Sequence, residues 1–411
     1  MKIKDIVTLT TTSITPQSNE EYHLYSLPSF DDNQKREELI GSEIQSNKYT
    51  VPDKCILFNK LNVRFKRVWR IDNNDYNKIC STEFLPLVVN ESKVDYQYCY
   101  YILISDYITN YLCGQNANTS GSHKRIDPTD FLNIELPTLP AMEEQKRIGQ
   151  LLFSLDQKIA LNRAINDNLE AMAKQLYDYW FVQFDFPNEE GKPYKSTGGK
   201  MVWNDKLKRE IPERWSSKMI GEIEGNIVTG KTPSCANEDN FGGDIPFITI
   251  DDIRGNLFVF QSQRTLSKLG ADSQSKKYLP EGSLCISCIG TIGVMGFVAR
   301  LAQTNQQINS IIFDKEYNKE FSYFSLMLHF GNAKAKTGNV FANMNKEEFA
   351  SIYTAYPSIE LLQKYHEIVL PMFDTIRTNT SEILNLTKQR DELLPLLMNG
   401  QVSVNYHLSH D

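Results

Sequence analysis

The sequence contains no apolar run that approaches the length of a membrane-spanning helix, and its first residues are too polar for a secretory signal. Its seven cysteines, odd in number and scattered along 411 residues, exclude a disulfide framework. Hydrophobic residues make up 41% of the chain, enough to bury the cores of two or three domains. We therefore expect a globular cytoplasmic protein with no membrane partner.

The chain also lacks an excess of positive charge, since its formal net charge is −7. Sequence-independent binding to nucleic acids comes mainly from basic side chains that neutralise phosphates. The surface as a whole does not predict such binding, although a local basic strip can coexist with an acidic remainder. Any nucleic-acid site must therefore be sought in local clusters.

Catalytic signatures are almost absent. The sequence has no G-x-S-x-G nucleophile elbow, no H-E-x-x-H metal helix and no Asn-Pro-Pro-aromatic signature of amino-methyltransferases. Cys285 and Cys288 form a lone C-x-x-C in the apolar stretch SLCISCIGTIG, without a second pair or a nearby histidine. This context favours buried strand cysteines over zinc ligands. The sequence predicts no catalytic residue and no metal site.

One motif departs from this pattern. The stretch GNIVTGKT matches the phosphate-loop pattern with Gly225, Gly230, Lys231 and Thr232 in the required places. A working phosphate loop joins a buried strand to a helix whose N-terminus faces the phosphates. Here the preceding KMIGEIE is polar, and the following PSCANEDNFGGDIPF contains helix breakers and no helical period. The context disfavours ATP hydrolysis, but the turn remains suited to contacting another kind of phosphate.

Two segments predict long amphipathic helices with a narrow apolar seam, in which apolar residues recur at steps of three and four. Such spacing is typical of a helix that packs on another helix, and two ordinary core helices are the alternative. The predicted seam residues are Ile148, Leu152, Leu155, Ile159, Asn162, Ile165 and Leu169 in the first helix and Val369, Met372, Ile376, Asn379, Ile383 and Leu386 in the second. A buried seam amide, such as Asn162 or Asn379, can fix helix register.

The segments that precede the two helices also correspond. RIDPTDFLNIELPTLP resembles NMNKEEFASIYTAYPS, KYTVPDKCILFNK resembles KYLPEGSLCISCI, and TSITP stands where TGKTP stands in the second copy. Such duplication is a stronger guide to architecture than a short motif. Antiparallel packing would bury both seams. We therefore predict an α+β fold with two similar globular domains, separated by two long antiparallel coiled-coil helices and related by a pseudo-twofold internal repeat.

The predicted boundaries follow from this repeat. They are residues 1–139 for the first domain, 140–182 for the first long helix, 183–212 for a connector, 213–357 for the second domain, 358–400 for the second long helix and 401–411 for a flexible tail.

Positive charge is concentrated in the stretch KLNVRFKRVWR, which contains no acid. Its cations are Lys60, Arg64, Lys66, Arg67 and Arg70. In one extended strand, three of these would share a face and Phe65 and Trp69 would share the other. This arrangement predicts a basic ribbon able to enter a major groove, and a solvated strand face is the alternative.

Two loops add further candidates, because lysine, arginine and asparagine suit phosphate positioning and hydrogen bonds to base edges. In GSHKRI these are His123, Lys124 and Arg125. In the second copy, AKAKTGNVFANMN supplies Lys334, Lys336 and Asn343.

The chain resembles the specificity subunits of type I restriction-modification systems along essentially its whole length. The stretches that carry the resemblance are ELPTLPAMEEQKRIGQLLFSLDQKIALNRAINDNLE, WFVQFDFPNEEGKPYKSTGGKMVWNDKLKREIPERW, TGKTPS, GGDIPFITIDDI, GTIGVMGFVA and TNQQINSIIF. The resemblance implies two target recognition domains, each recognising one half of a bipartite target in double-stranded DNA. It also implies that the paired helices fix the spacer between the halves.

The resemblance further implies a division of labour. The chain would be a non-catalytic, nucleoid-associated prokaryotic subunit, on which two adenine-methyltransferase (modification) subunits dock, with restriction/translocase subunits bound through them. It would bind no cofactor itself, with S-adenosylmethionine, ATP and Mg on the partner subunits. Lys231, Thr232 and Thr291 within the resembling stretches, and Arg254 directly after GGDIPFITIDDI, join the candidates for DNA contact. The alternatives are a phosphate-loop NTPase and a coiled-coil scaffold with no role in DNA recognition.

Overall fold

The structure, a computed structural model, describes residues 1–32, 34–115, 125–337 and 343–404. The chain forms two compact units, residues 1–159 with 385–411 and residues 160–384. In the described ranges no helix is both long enough and apolar enough to cross a membrane.

In its described residues, the first unit contains five short helices and two sheets. The helices are α1 (Ile3–Ile6), α2 (Leu27–Asp31), α3 (Tyr96–Ile104), α4 (Asp106–Gln115) and α5 (Pro128–Leu132). The strands are β1 (Val7–Leu9), β2 (Ser13–Ile14), β3 (Glu21–Tyr25), β4 (Glu37–Ile40), β5 (Lys48–Thr50), β6 (Lys54–Asn59), β7 (Val68–Asp72), β8 (Lys78–Cys80) and β9 (Phe84–Val89). One sheet has the order β1-β9-β6-β7, with all pairs antiparallel, and the other has the order β2-β5-β8-β3-β4.

A long helix, α6 (Met142–Tyr177), follows and continues as a π-helical turn over Asp178–Val182. The second unit then adds the strands β10 (Met201–Asn204), β11 (Arg209–Pro212), β12 (Ser216–Met219), β13 (Ile227–Thr229), β14 (Phe241–Ile248), β15 (Phe258–Val259), β16 (Thr265–Leu266), β17 (Leu284–Ser287), β18 (Met295–Val298), β19 (Gln303–Thr304), β20 (Ile308–Ile311) and β21 (Tyr353–Tyr356). Its helices are α7 (Ile220–Ile223), α8 (Ile250–Ile253), α9 (Lys268–Asp272), α10 (Lys319–Thr337) and α11 (Lys346–Ala350). The last helix is α12 (Ile359–Met398).

The two units repeat one plan. The second unit has a five-stranded sheet with the order β13-β20-β17-β18-β15, besides the smaller sheets β10-β11, β12-β21 and β16-β14-β19. The first four strands of the five-stranded sheet correspond to β1-β9-β6-β7 in the first unit. A short helix precedes each first strand, α1 in one unit and α7 in the other. Another short helix, α5 or α11, precedes each long helix. The internal repeat and the α+β class predicted from the sequence are confirmed.

The long helices run antiparallel where they pack. Within the second unit, the Asn162 side-chain amide donates to Glu382 at 2.7 Å, whereas the Tyr365 hydroxyl donates to the Ala173 carbonyl at 3.2 Å. Residues with higher numbers in α6 thus contact residues with lower numbers in α12, so the two helices are antiparallel. Within the first unit, Arg390 of α12 donates to Asp156 of α6 at 2.9 Å.

The seam of α12 follows the predicted spacing. Val369 and Ile376 are buried, and four other predicted seam residues are half-buried: Met372, Asn379, Ile383 and Leu386. The first half of the α6 seam is also confirmed, since Ile148, Leu152 and Ile159 are buried and Leu155 is half-buried.

Beyond Asn162, which is 1% exposed, the seam of α6 takes another course. The prediction of Ile165 as a buried seam residue was wrong, because its side chain is 36% exposed. The row instead continues through Asn166, whose amide oxygen accepts a hydrogen bond from Asn379 at 2.9 Å, to the half-buried Leu169 and the buried Ala173. The hydrogen-bonded pair of Asn166 and Asn379 therefore occupies the seam position that hydrophobicity alone assigned to Ile165.

An aromatic cluster forms the core of the second unit beside the end of α6. Trp180 and Phe181 are buried, and the Phe181 ring centroid lies 4.9 Å from that of Tyr365 on α12. Phe184 is buried against Trp215 at a centroid distance of 5.3 Å. These contacts attach the connector to the helix pair.

Candidate nucleic-acid interface

Strand register places the candidates of the second unit at one edge of its sheet. Thr229 at the end of β13 pairs with Asn309 near the start of β20, and Ser287 at the end of β17 pairs with Ile308. The segments that carry Lys231, Thr232 and Thr291 therefore leave the sheet on the same side.

Two further candidates lie at this edge. Asn343 pairs with Ile289 in an isolated bridge, next to Thr291. Arg254 ends α8 shortly before β15, which runs parallel to β18. Lys231, Arg254, Thr291 and Asn343 are all exposed. We call these residues, together with Thr232, the second edge.

The first unit presents the corresponding edge. Asn59 at the end of β6 pairs with Phe84 at the start of β9, and Val68 at the start of β7 pairs with Phe58. The loop between β6 and β7 lies at this side of the sheet, and its Leu61 pairs with Arg125 in an isolated bridge. The structure thus brings Arg125 next to the basic loop, although the two are far apart in the sequence. We call Lys60, Arg64, Lys66, Arg67 and Arg125 the first edge.

The stretch from Lys60 to Arg70 is not one extended strand, so the predicted basic ribbon was wrong. A 3-10 turn occupies Val63–Phe65, and β7 begins only at Val68. Asn62 and Lys66 flank this turn with φ values of 52° and 41°, in the left-handed region that ends strand alternation. As a result Trp69 is buried, whereas Phe65 is exposed.

Hydrogen bonds hold this loop in place. The buried side chain of Asn59 accepts from the Leu61 amide at 2.8 Å and donates to the Leu61 carbonyl. The Lys60 amide donates to the Glu83 carbonyl at 2.9 Å, and the Asn59 amide donates to the Arg67 carbonyl at 3.0 Å. The backbone that presents the basic side chains is therefore fixed at both ends.

Acids accompany most cations of the first edge, a feature that the local sequence did not reveal. Three ion pairs form: Lys66 with Asp106 at 2.6 Å, Arg67 with Asp31 at 2.7 Å and Arg125 with Glu83 at 2.7 Å. Each acid is remote in sequence from its cation, so only the fold could identify it. In the described part of the chain, Lys60 and Arg64 form no ion pair.

Arg70, which the sequence placed among the candidates for DNA contact, packs instead on two aromatic rings. Its guanidinium carbon lies 4.5 Å from the ring centroid of Tyr100 on α3 and 4.2 Å from that of Phe153 on α6. Because Arg70 follows Trp69 within β7, its side chain points to the sheet face that packs on these helices. It therefore connects the sheet β1-β9-β6-β7 to α6.

The Gly-Lys-Thr turn of the second edge lacks the geometry of a phosphate loop. The Gly230 amide donates to the Ile308 carbonyl and the Lys231 amide to the Thr304 carbonyl, each at 3.0 Å. The Thr232 hydroxyl donates to the Gln306 side chain at 2.7 Å. Residues 233–237, all within the described range, form no helix. The amides that would surround a nucleotide phosphate are thus used within the fold, while the Lys231 side chain remains exposed.

The cysteines behave as buried core residues. Cys285 and Cys288 are free and buried, and burial raises the pKa of the Cys285 thiol to about 12. A thiol with so high a pKa is a poor thiolate nucleophile or metal ligand near neutral pH. Over the described residues, no group of histidine, cysteine or acidic side chains could hold a metal ion.

Four candidates cannot be placed. His123, Lys124 and the side chains of Lys334 and Lys336 lie outside the described residues.

Fold and sites together define a duplicated α+β protein with two corresponding polar edges and two paired long helices. The family model for the type I restriction modification DNA specificity domain matches residues 1–171 and 212–388. The chain belongs to this family and is a specificity subunit of a type I restriction-modification system, a non-catalytic subunit.

Characterised relatives agree with this assignment. The chain is 32% identical over 397 residues to the specificity subunit of type I restriction enzyme HindI from Haemophilus influenzae, an alignment that covers 84% of this chain and 86% of the relative. It is 23% identical to the MjaIX specificity subunit from Methanocaldococcus jannaschii, over 80% of this chain and 74% of that one. The crystal structure of the type I S subunit from M. genitalium shares the fold, with a TM-score of 0.55, 14% identity and coverage of 97% of this chain and 95% of that chain.

Proposed function

We propose that the chain binds a bipartite target in double-stranded DNA through the first and second edges, each of which contacts one half-site. The observation that carries this proposal is the correspondence of the two edges. The same ends of corresponding strands carry basic side chains in both units, and the second edge adds Thr232, Thr291 and the amide side chain of Asn343. A repeated scaffold with different side chains suits the recognition of two different short sequences.

The charges of the edges support phosphate positioning. Lys60 and Arg64 in the first edge and Lys231 and Arg254 in the second form no ion pair within the described residues. Each of these side chains can neutralise a phosphate without first breaking an ion pair with a carboxylate. The ion pair of Lys66 with Asp106 is exposed and individually weak, so Lys66 can exchange carboxylate for phosphate at small cost.

The helices would dock two adenine-methyltransferase subunits, and through them restriction/translocase subunits. Support comes from an apolar stripe on α6 and the turn that follows it, on a side of α6 that flanks its seam with α12. The exposed residues of this stripe are Leu161, Ile165, Met172 and Tyr179. Their near-heptad spacing is typical of a surface that packs on another helix. S-adenosylmethionine, ATP and Mg would act on those partners, in the cytoplasm and at the nucleoid.

DNA binding is tested by matched double variants of the assembled methyltransferase complex. We expect Lys60→Ala with Arg64→Ala, and separately Lys231→Ala with Arg254→Ala, to reduce affinity and to lower the salt slope by about one per lost phosphate contact. The charge-matched control is Lys192→Ala with Lys208→Ala, exposed residues remote from both edges in the sequence. Equal effects of control and edge variants on affinity would contradict the proposal.

Docking is tested on the exposed stripe. Leu161→Lys with Met172→Lys should abolish co-purification of the methyltransferase subunits, because it places two charges in an apolar contact. Ala164→Lys with Ala171→Lys adds the same charge to another exposed side of α6 and should retain assembly. Assembly by both variants would exclude this stripe as the docking surface.

The phosphate-loop alternative makes an opposite prediction. An NTPase would show saturable ATP binding that Lys231→Ala removes, whereas the observed turn predicts no such site.

A further inference from the structure

Phe65 is an exposed aromatic side chain within the basic loop of the first edge. Its side chain is 62% exposed, and its neighbours Arg64 and Lys66 are exposed as well. The guanidinium carbon of Arg67 lies 4.9 Å from its ring centroid. Since Arg67 is also bonded to Asp31 through two nitrogens at 2.7 Å, the ring rests on a fixed cation rather than moving freely.

The Phe65 ring is not part of the buried core of the first unit. The ring is 62% exposed with the Arg67 guanidinium against it, so it leaves a large apolar area in water. The neighbouring cations would hold a DNA backbone beside it, and the hydrogen bonds around Asn59 and Leu61 fix the loop backbone. A rigid, exposed apolar group among phosphate-binding side chains is suited to a base edge.

We propose that Phe65 contacts the 5-methyl group of a thymine in the major groove and so contributes to the sequence specificity of the first half-site. This inference rests on the proposed function. The thymine methyl group is the one apolar feature that a base pair presents in the major groove, and phenylalanine is among the side chains that contact it. Lysine and arginine alongside would position the backbone without reading sequence.

Within the described residues of the second unit, the loop that corresponds to the Phe65 loop, residues 288–294, contains no aromatic side chain. The corresponding loop between β17 and β18 carries Thr291 between Gly290 and Gly293, both with positive φ. The proposed methyl contact of Phe65 concerns the first half-site, so thymines of the second half-site give the experiment an internal comparison.

The experiment uses the assembled methyltransferase complex and duplexes that contain its methylated target. Thymines of each half-site are replaced singly by deoxyuridine, which lacks the 5-methyl group, and affinity is measured for wild type and Phe65→Ala. We expect one thymine in the first half-site at which uridine weakens wild-type binding by about fivefold, with no further effect in Phe65→Ala. Phe65→Leu should retain part of the discrimination.

The control is Tyr76→Ala in the same unit. Tyr76 is 59% exposed, so it matches Phe65 in accessibility, but its hydroxyl donates to Glu21 at 3.1 Å in an acidic setting. This variant should bind every duplex as wild type does.

The outcomes separate this inference from the function on which it rests. If wild type does not distinguish target from non-target duplexes, the proposed function fails, and the inference with it. If wild type does distinguish them, three results overturn the role of Phe65 alone: a first half-site without thymine, unchanged discrimination in Phe65→Ala, or equal uridine effects in both proteins. Loss of affinity in Phe65→Ala with no uridine-sensitive position would likewise overturn the methyl contact.

Discussion

At the scale of single residues, the basic stretch shows how one polypeptide segment divides between two roles. Arg64 and Lys66 lie exposed in the loop, whereas Arg70, a few residues later, stacks between two aromatic rings. For the loop residues Arg64 and Lys66, the composition of the stretch correctly predicted a basic surface. It could not assign Arg70, because the left-handed residues Asn62 and Lys66 change the alternation of faces.

Substitution of Arg70 tests this assignment. Arg70→Ala should lower the free energy of unfolding by about 2 kcal/mol, since it removes two ring contacts and the packing of the aliphatic stem. Urea denaturation measures this change, and DNA affinity at low temperature should remain near that of wild type. Unchanged stability with a loss of DNA affinity would return Arg70 to the recognition surface.

His366 of α12 supplies a pH-dependent contribution to stability. Its Nδ1 lies 2.6 Å from a carboxylate oxygen of the buried Glu320, and this hydrogen bond raises the pKa of His366. A raised pKa in the folded state means that the contribution is complete below the unfolded value of about 6.5 and is lost as the pH rises through the folded pKa.

His366→Gln, which cannot titrate, should therefore be destabilised relative to wild type by about 1–2 kcal/mol at pH 6, with a smaller deficit at pH 9. Urea unfolding of both proteins at the two pH values measures the difference. A deficit that is the same at both values would show that protonation of His366 does not stabilise the fold.

At the scale of elements, the sequence predicted the long helices and the repeat well. Periodicity at steps of three and four depends on local chain geometry, which is why the seam of α12 could be found from spacing alone. The seam of α6 beyond Asn162 could not, because a hydrogen bond between Asn166 and Asn379 replaces an apolar contact. Which polar groups meet across two helices depends on register, and register is a property of the pair.

Two isoleucines of α12 provide a matched test of the seam. Ile376 is 2% exposed and Ile368 is 45% exposed. Ile376→Ala should cost about 2–4 kcal/mol of unfolding free energy through the cavity that it leaves, whereas Ile368→Ala should change it by less than about 0.5 kcal/mol. Chemical denaturation measures the unfolding free energy of each variant. Similar losses of unfolding free energy at both positions would contradict the packing described.

The candidate edges were only partly accessible to prediction. Lysine, arginine and asparagine in loops identified many of the positions, but their assembly needs strand register, which joins Leu61 to Arg125 and Ile289 to Asn343. Phe65 could not be found at all, because alternation placed it with Trp69 in the core. The acids that pair with the first edge are distant in sequence and carry no local signal.

At the scale of the whole molecule, the net charge of −7 sets a limit on what the chain does alone. We expect the partner subunits to supply much of the charge that neutralises phosphates. The logarithm of DNA affinity should then fall shallowly with the logarithm of salt concentration for the isolated chain and steeply for the assembled methyltransferase. Titrations at several salt concentrations measure both slopes, and equal slopes would contradict this division of charge.

The central claim is that two corresponding edges on one duplicated chain each recognise half of a DNA target. The most direct measurement is a genome-wide map of methylated adenines in cells that express the methyltransferase with wild-type chain or with the second-edge loop 288–294 exchanged for that of another specificity subunit. We predict a bipartite methylated motif for wild type, and for the exchange a motif altered in one half only. Methylation without a bipartite motif, or an exchange that alters both halves or neither, would contradict the account.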